Sequence, residues 1–128
     1  MGIEPYLIAS ALECVVGQRL VRRLCLQCCR GVTVPGGDVG SDSDHDVAIC
    51  EVGEGCTHCS DTGYRGRAGL YEVMTVTEEI RSLIVARATA GEIGRVAVSQ
   101  GMRTLRDAGL AKVRAGETSL AEIARVTG

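Results

Sequence analysis

Two cysteine pairs constrain the fold of this chain more than any other feature of its sequence. Cys25-x-x-Cys28 and Cys56-x-x-Cys59 are separated by 27 residues within a chain of only 128. Each pair places two thiols on one tight turn, and two such turns can close a tetrahedron around a zinc ion. A site of four thiolates has no open coordination position. The spacing therefore predicts one structural zinc ion rather than a catalytic one.

The other cysteines and the amino terminus have simpler interpretations. Cys14 and Cys50 are expected to be small apolar side chains, as buried free thiols usually are. The chain has an odd number of cysteines, seven, and Glu4 and Pro5 stand where a secretory leader would need basic and then apolar residues. No run of 18 apolar residues is present, so no membrane-spanning segment is expected. These features favour a protein of the reducing cell interior.

The composition limits both the core and the partners. There is no Phe or Trp, so a core must be built from Leu, Ile, Val and Ala, and a bound metal is expected to add to its stability. The net charge is −2 and aromatic residues are 2% of the chain. This argues against nucleic-acid binding, which needs positive charge and often aromatic stacking platforms.

The first half of the chain predicts one helix and two short strands. Apolar residues recur at spacings of three and four over residues 6–25, after Pro5, which predicts a single amphipathic helix. Val32 to Val34 and Val47 to Val52 suggest strands. Residues 38–46 between them, rich in Asp, Gly and Ser, predict a solvated acidic loop that contains His45. The aspartates do not fit an EF-hand, so calcium is not expected.

The second half predicts a strand and then helices. Glycines followed by apolar residues suggest a turn and a strand at about residues 68–74. Thr77, Thr89 and Ser119 each precede an acidic first turn, which predicts three capped helices, and another helix is expected over 103–115. The predicted fold is α+β and mainly helical: a zinc-stapled four-cysteine subdomain that follows a long helix, then a C-terminal helical bundle.

Several motifs in fixed order resemble a known family. They are Gly17-Gln18-Arg19-Leu20-Val21-Arg22-Arg23-Leu24-Cys25, the two cysteine pairs, Gly63-Tyr64-Arg65-Gly66-Arg67, Gly101-Met102-Arg103-Thr104-Leu105, Asp107-Ala108-Gly109-Leu110 and Gly116-Glu117-Thr118-Ser119-Leu120. Together they resemble the carboxy-terminal part of the traffic ATPases of bacterial type II secretion and type IV pilus assembly. The resemblance covers nearly the whole chain except the acidic loop.

The resemblance implies a part of a hexameric, cytoplasmic ATPase that uses ATP and Mg and attaches to inner-membrane secretion or pilus platform proteins. It implies four segments: 1–24 as the terminal helix of a RecA-like domain, 25–62 as the zinc subdomain, 63–76 as a return to the ATPase domain, and 77–128 as a C-terminal helical domain. A phosphate loop requires GxxxxGK[ST], but the sole lysine, Lys112, precedes Val113. The chain is therefore expected to be a fragment without ATPase activity of its own.

The resemblance also suggests roles for individual residues. The zinc ligands would be Cys25, Cys28, Cys56 and Cys59, with Cys29 and His58 as rivals by proximity. Arg65 and Arg67 would lie near the nucleotide, although ordinary surface arginines fit the same pattern. Gln18, Arg19 and Arg22 would contact a neighbouring subunit, and a solvated helix face explains them equally well.

Two other classes fit parts of the pattern. A zinc-ribbon adaptor that binds protein or nucleic acid shares the paired cysteines, but the acidic inter-cysteine loop disfavours nucleic acid. A CxxC redox protein needs a low-pKa cysteine that opens a helix. Here Cys25 is predicted to end a helix, where the dipole disfavours a thiolate.

Overall fold

The computed structural model describes residues 3–41 and 45–127, and these residues form two compact units. The first unit draws on Met1–Gly17 and Glu72–Thr104, and the second on Gln18–Tyr71 and Leu105–Gly128. Over the described residues there are five α-helices and four β-strands, so the chain mixes the two kinds of element. None of the helices in this part of the chain has the length and apolar character needed to cross a bilayer.

The first unit is built on helices α1 (Pro5–Ala11), α2 (Glu78–Val85) and α3 (Ala90–Ser99). Its buried core contains Val76, Ile80 and Ala97. The two predicted caps are confirmed, because the hydroxyls of Thr77 and Thr89 accept hydrogen bonds from the backbone N–H groups of Ile80 and Glu92. The chain thus starts both helices where its capping residues stand.

The second unit contains a hairpin of strands β2 (Arg30–Pro35) and β3 (Asp46–Glu51), followed by helices α4 (Leu105–Arg114) and α5 (Leu120–Thr127). The two strands are antiparallel, with Val32 opposite Ile49. Both were predicted from the sequence. Their apolar side chains pack against a core formed by Val21, Val39, Ile49, Leu70, Val113 and Ile123.

The helix predicted over residues 6–25 is wrong beyond its first turns. Helix α1 ends at Ala11, and strand β1 (Cys14–Leu24) follows and is hydrogen-bonded to strand β4 (Tyr64–Thr75). Only Val21 and Leu24 of β1 are buried, whereas Val16 and Leu20 are about half exposed. Apolar residues on both faces of the strand produce spacings of three and four that also fit a helix. The β-branched valines of this segment favour a strand. Strand β4 confirms the predicted strand and extends it.

The predicted acidic loop is only partly solvated. Gly36–Val39 forms a short 3₁₀ helix, and the side chain of Val39 is fully buried in the core of the second unit. The guanidinium of Arg114 donates a hydrogen bond to the carbonyl oxygen of Val39. Asp42 and Asp44 lie outside the described residues, and His45 is exposed. The first part of this loop therefore belongs to the fold.

Candidate metal centre

The four predicted ligands come together in the second unit. The Sγ atoms of Cys25, Cys28, Cys56 and Cys59 all lie within 4.8 Å of one another. Individual S–S distances are 3.6 Å for Cys25–Cys56 and 3.8 Å for both Cys28–Cys59 and Cys56–Cys59. All seven cysteines of the chain are free thiols. The cluster therefore consists of four separate sulfur donors and contains no disulfide.

Two turns bring these sulfurs together. The first follows β1: the N–H of Cys25 donates to the carbonyl oxygen of Gly63 at 3.0 Å, and the N–H of Cys29 donates back to Cys25 at 3.1 Å. The second is a 3₁₀ turn, Thr57–Cys59. It is followed by Ser60, which has a positive φ of 54°. The hydrogen bond between Cys25 and Gly63 ties the first turn to the segment just after the second, before β4 begins at Tyr64.

Gly53 allows the close approach of the chain to the first turn. A Cβ atom at this position would lie 1.9 Å from the carbonyl oxygen of Cys28, a distance at which backbone would have to move. Gly63 combines a φ of +80° with a similar close approach, to Val52. Glycine is required at both places because any side chain would separate the segments that hold the sulfurs.

The local hydrogen bonds act differently on the four thiols. Burial raises the pKa of Cys59, but N–H groups of Cys56 and Gly63 donate to its sulfur at 3.3 and 3.1 Å, and the net effect lowers this pKa to about 6. Burial, together with hydrogen bonding to the neighbouring thiols, raises the pKa of Cys28 to about 12. Thiolates this close to one another repel, which disfavours ionisation of all four. A bound cation would compensate this negative charge.

The arrangement fits a tetrahedral metal ion. Zinc–sulfur bonds of about 2.3 Å place the sulfurs of a regular tetrahedron about 3.8 Å apart. Three of the six Sγ–Sγ distances in the cluster are within 0.2 Å of that value, and none exceeds 4.8 Å. Thiolates favour soft or borderline ions such as zinc over magnesium or calcium. The donor set and its spacing therefore match a structural metal centre.

The two rival ligands lie outside this cluster. The thiol of Cys29 points to the carbonyl oxygen of Leu26, with a sulfur–oxygen distance of 4.0 Å. His58 is exposed and lines a cleft beside the cysteine turns. Cys14 is exposed rather than buried, and Cys50 is partly buried in β3. The predicted set of four is thus the one that the fold assembles.

Arg65 and Arg67 are both exposed and line the same cleft, whose volume is about 630 Å³. They stand at the start of β4, on either side of Gly66, which has a φ of +79°. The cleft also contains Arg23 and Glu117. The structure therefore gathers the two predicted arginines with a third arginine in one concave surface.

The three residues predicted at a subunit contact have different surroundings. Gln18 is exposed, and its amide donates to the hydroxyl of Tyr71 at 3.5 Å. Arg19 is also exposed and donates to the carbonyl oxygen of Gln18. Arg22 instead binds within the second unit: its guanidinium donates to Glu122 and lies 4.2 Å from the ring centroid of Tyr64.

Glu122 is the important residue that sequence reasoning missed. It is 1% exposed, and its carboxylate accepts hydrogen bonds from the backbone N–H and guanidinium of Arg22 and from the guanidinium of Arg125. Hydrogen bonds from Arg125 and then Arg22 outweigh burial and hold the pKa of Glu122 well below its usual range. Ser119 caps α5 as predicted, because its hydroxyl accepts a hydrogen bond from the backbone N–H of Glu122 at 3.1 Å.

Comparison with known proteins confirms the family that the sequence motifs resemble. Residues 1–125 match the model of the family described as type II/IV secretion system protein. The chain is 42% identical over 99% of its length to the type IV pilus assembly ATPase PilB of Acinetobacter baylyi, covering 23% of that protein. It is 41% identical over 96% of its length to PilB of Thermus thermophilus, covering 14% of it.

A secretion protein is similar to the same extent. The chain is 38% identical over 99% of its length to the type II secretion system ATPase E of Vibrio cholerae, covering 25% of that protein. The chain therefore spans about a quarter or less of the length of these curated relatives. By its match to the family model and by these identities, the chain belongs to the type II/IV secretion system protein family.

Proposed function

We propose that this chain is the metal-binding and helical region of a hexameric ATPase that powers type II secretion or type IV pilus assembly. The observation that carries the proposal is a four-sulfur cluster of tetrahedral dimensions in a chain of this family. The relatives named above are ATPases of pilus assembly and secretion. In this proposal ATP and Mg bind to the intact protein, and the present residues contribute structure and contacts.

The metal in this proposal is one zinc ion bound by Cys25, Cys28, Cys56 and Cys59. Zinc supplies a rigid cross-link between the two turns and no catalysis, since four thiolates leave no position for water or substrate. The cysteines hold the ends of the β2–β3 hairpin, and the N–H groups directed at Cys59 stabilise its thiolate. The hairpin would thereby present a fixed surface.

The remaining assignments are proposals of the same kind. Arg65 and Arg67 would lie close to nucleotide, and Gln18 and Arg19 would contact a neighbouring subunit. The intramolecular pairing of Arg22 with Glu122 supports a structural role for that arginine more than a subunit contact. Partners would be the rest of the ATPase, neighbouring subunits and inner-membrane platform proteins, which would keep the motor cytoplasmic and peripheral to that membrane.

A chimera tests the proposal. The corresponding region of Acinetobacter baylyi PilB would be replaced by this chain, and ATP hydrolysis and pilus assembly would be measured. The chimera should retain both activities, and Ser at the four clustered cysteines should abolish zinc binding and reduce both. Cys14→Ser, an exposed cysteine outside the cluster, is the matched control. Full activity of the four-serine chimera would contradict the proposed role of the metal centre.

A further inference from the structure

Two cysteines of the second unit stand outside the sulfur cluster. Four of the seven cysteines form that cluster, and Cys14 belongs to the first unit, so Cys29 and Cys50 are the remaining thiols of the second unit. Both are free thiols and partly buried. They come from separate segments, because Cys29 follows the first cysteine turn and Cys50 lies in β3. The fold therefore decides whether they meet.

The register of the β2–β3 hairpin places the two cysteines on the same side. Gly31 is directly opposite Cys50 in the antiparallel ladder. Cys29 comes two residues before Gly31, and side chains alternate between the two faces along a strand. Cys29 is therefore the diagonal cross-strand neighbour of Cys50.

Gly31 leaves the space between these two positions open. A Cβ atom at Gly31 would have no other atom within 4 Å, so no side chain stands directly opposite Cys50. The thiol of Cys29 is also loosely held on its own side, because its sulfur lies 4.0 Å from the carbonyl oxygen of Leu26. Both side chains are thus free to turn toward each other.

The two thiols already interact in the reduced chain. Burial raises the pKa of the Cys29 thiol, and the Cys50 thiol raises it further through its charge and a hydrogen bond. An interaction of this kind requires the two sulfurs to be neighbours. A disulfide needs Cα atoms within about 7 Å of each other and side chains that are directed toward one another. The diagonal position and the thiol contact suit both requirements.

We propose that Cys29 and Cys50 are a redox-active dithiol that forms a disulfide across the base of the β2–β3 hairpin. The oxidant is a low-molecular-weight disulfide. One cysteine sulfur attacks it, which releases one small thiol and leaves a mixed disulfide on the protein. The other cysteine then attacks the protein sulfur of that bond and releases the second small thiol. Two electrons and two protons pass from the protein to the oxidant.

This cross-link is separate from the proposed metal centre. A bond between residues 29 and 50 encloses β2, the short 3₁₀ helix and the acidic loop, and it restricts the unfolded chain over that segment. The zinc would instead join the two cysteine turns that flank the hairpin. Disulfides in reducing compartments are usually transient and sense the redox state. Oxidation of this pair would therefore keep the hairpin closed even when zinc is released.

The test is equilibration of the zinc-loaded full chain in anaerobic buffers of glutathione and glutathione disulfide. Every sample carries Cys14→Ser, because the exposed Cys14 would itself form a mixed disulfide. Samples are quenched in acid, alkylated in denaturant and weighed by mass spectrometry. In the most oxidising buffer this parent chain should have two fewer alkylated cysteines than in the most reducing one, with no bound glutathione and an unchanged zinc content.

Cys29→Ser and Cys50→Ser, each added to the parent chain, identify the pair. Both variants should lose the two-cysteine oxidation, and the thiol that remains should carry at most one glutathione. Zinc content before oxidation shows that each variant is folded, and Cys29→Ala or Cys50→Ala replaces a serine variant that is not. Low zinc at this stage in the parent chain concerns the metal centre, whereas the mass difference between parent and variants reports on the pair.

Three outcomes overturn the proposal. The first is a parent chain that stays fully alkylated, or gains only glutathione, in every buffer. The second is a two-cysteine oxidation that persists in Cys29→Ser or Cys50→Ser, which would place the disulfide elsewhere. The third is a zinc content that falls in step with the alkylated cysteines, which would mean that the cluster sulfurs are the oxidised group.

Discussion

At the scale of single residues, Glu122 joins parts of the second unit that are far apart in sequence. Its carboxylate receives five hydrogen bonds from Arg22 and Arg125, and Arg22 is 100 residues away. The Arg22 guanidinium also lies over Tyr64, whose hydroxyl is 2.8 Å from that of Ser119. Strand β1, strand β4 and helix α5 are thereby connected through one buried anion.

Glu122→Gln is expected to destabilise the chain by about 3 kcal/mol, because removal of one partner of a buried ion pair leaves the others without compensation. The loss is expected at the lower end of the usual range, since the Arg22 and Arg125 side chains are about half exposed and can be solvated. Urea unfolding of the zinc-loaded protein measures the change. Glu51→Gln, at an exposed glutamate of β3, is the control, and equal effects of the two substitutions would contradict the account.

The same residue predicts a pH dependence. The folded-state pKa of Glu122 lies below its value in the unfolded chain, which is about 4.3. Its contribution to stability is therefore complete above the unfolded pKa and is lost as pH falls toward the folded one. Between about pH 5 and pH 3, the wild-type chain should lose more stability than Glu122→Gln does.

A residue's role could be predicted where it depends on neighbours in the sequence, and could not where it depends on contacts between distant segments. The spacing of the four cysteines alone specifies two turns with two thiols each, and the turns meet as predicted. The pairing of Arg22 with Glu122 depends on how β1 lies against α5, and neither segment carries a sequence pattern that predicts it. From the sequence, Glu122 is explained as an acidic residue in the first turn of a helix capped by Ser119. Its burial and its pairing with two arginines could not be predicted from that local pattern.

At the scale of elements, predictions succeeded where a specific residue starts or ends the element. Thr77 and Thr89 were predicted to cap helices, and both do. Strand β1 has no such signal between Ala11 and Cys14, and its exposed valines and leucine extended the helical pattern. Apolar spacing alone does not distinguish a helix from a strand that carries apolar residues on both faces.

Cys56→Ser should loosen residues 25–60 and leave helices α2 and α3 protected. These helices belong to the first unit and have their own caps and core, whereas no residue of the cysteine turns belongs to either buried core cluster, so a bound metal would hold them. Residue-level hydrogen exchange on the wild-type chain, Cys56→Ser and Cys14→Ser measures the difference. Equal loss of protection in both units after Cys56→Ser would show that they unfold as one cooperative body.

At the scale of the whole molecule, the chain is a small portion of the length of its relatives, and we expect it to lack turnover on its own. Phosphoryl transfer needs a phosphate loop and metal-bound carboxylates, and arginines only add charge stabilisation to them. The single lysine, Lys112, lies in α4 and pairs with Glu117. Phosphate release by the isolated chain should equal that of a protein-free blank.

The corresponding prediction for the intact ATPase concerns Arg67. If Arg67 lies close to the nucleotide as proposed, Arg67→Ala should slow hydrolysis about tenfold or more, the loss expected for one charge-assisted hydrogen bond. Arg106→Ala, at an exposed arginine of α4 that does not line the cleft, should not slow it. Steady-state phosphate release measures both variants. Robust turnover by the isolated chain would contradict the prediction that this region lacks ATPase activity. Unchanged turnover of the intact Arg67→Ala variant would show that Arg67 is a surface arginine without a role in hydrolysis.

The measurement that tests the account most directly is zinc content combined with X-ray absorption at the zinc edge. We expect one zinc ion per chain with four sulfur neighbours at about 2.3 Å, and loss of that signal in Cys56→Ser. Cys14→Ser should keep the full signal. A folded protein that contains no metal, or a nitrogen neighbour in the first coordination shell of the zinc, would contradict the four-cysteine centre.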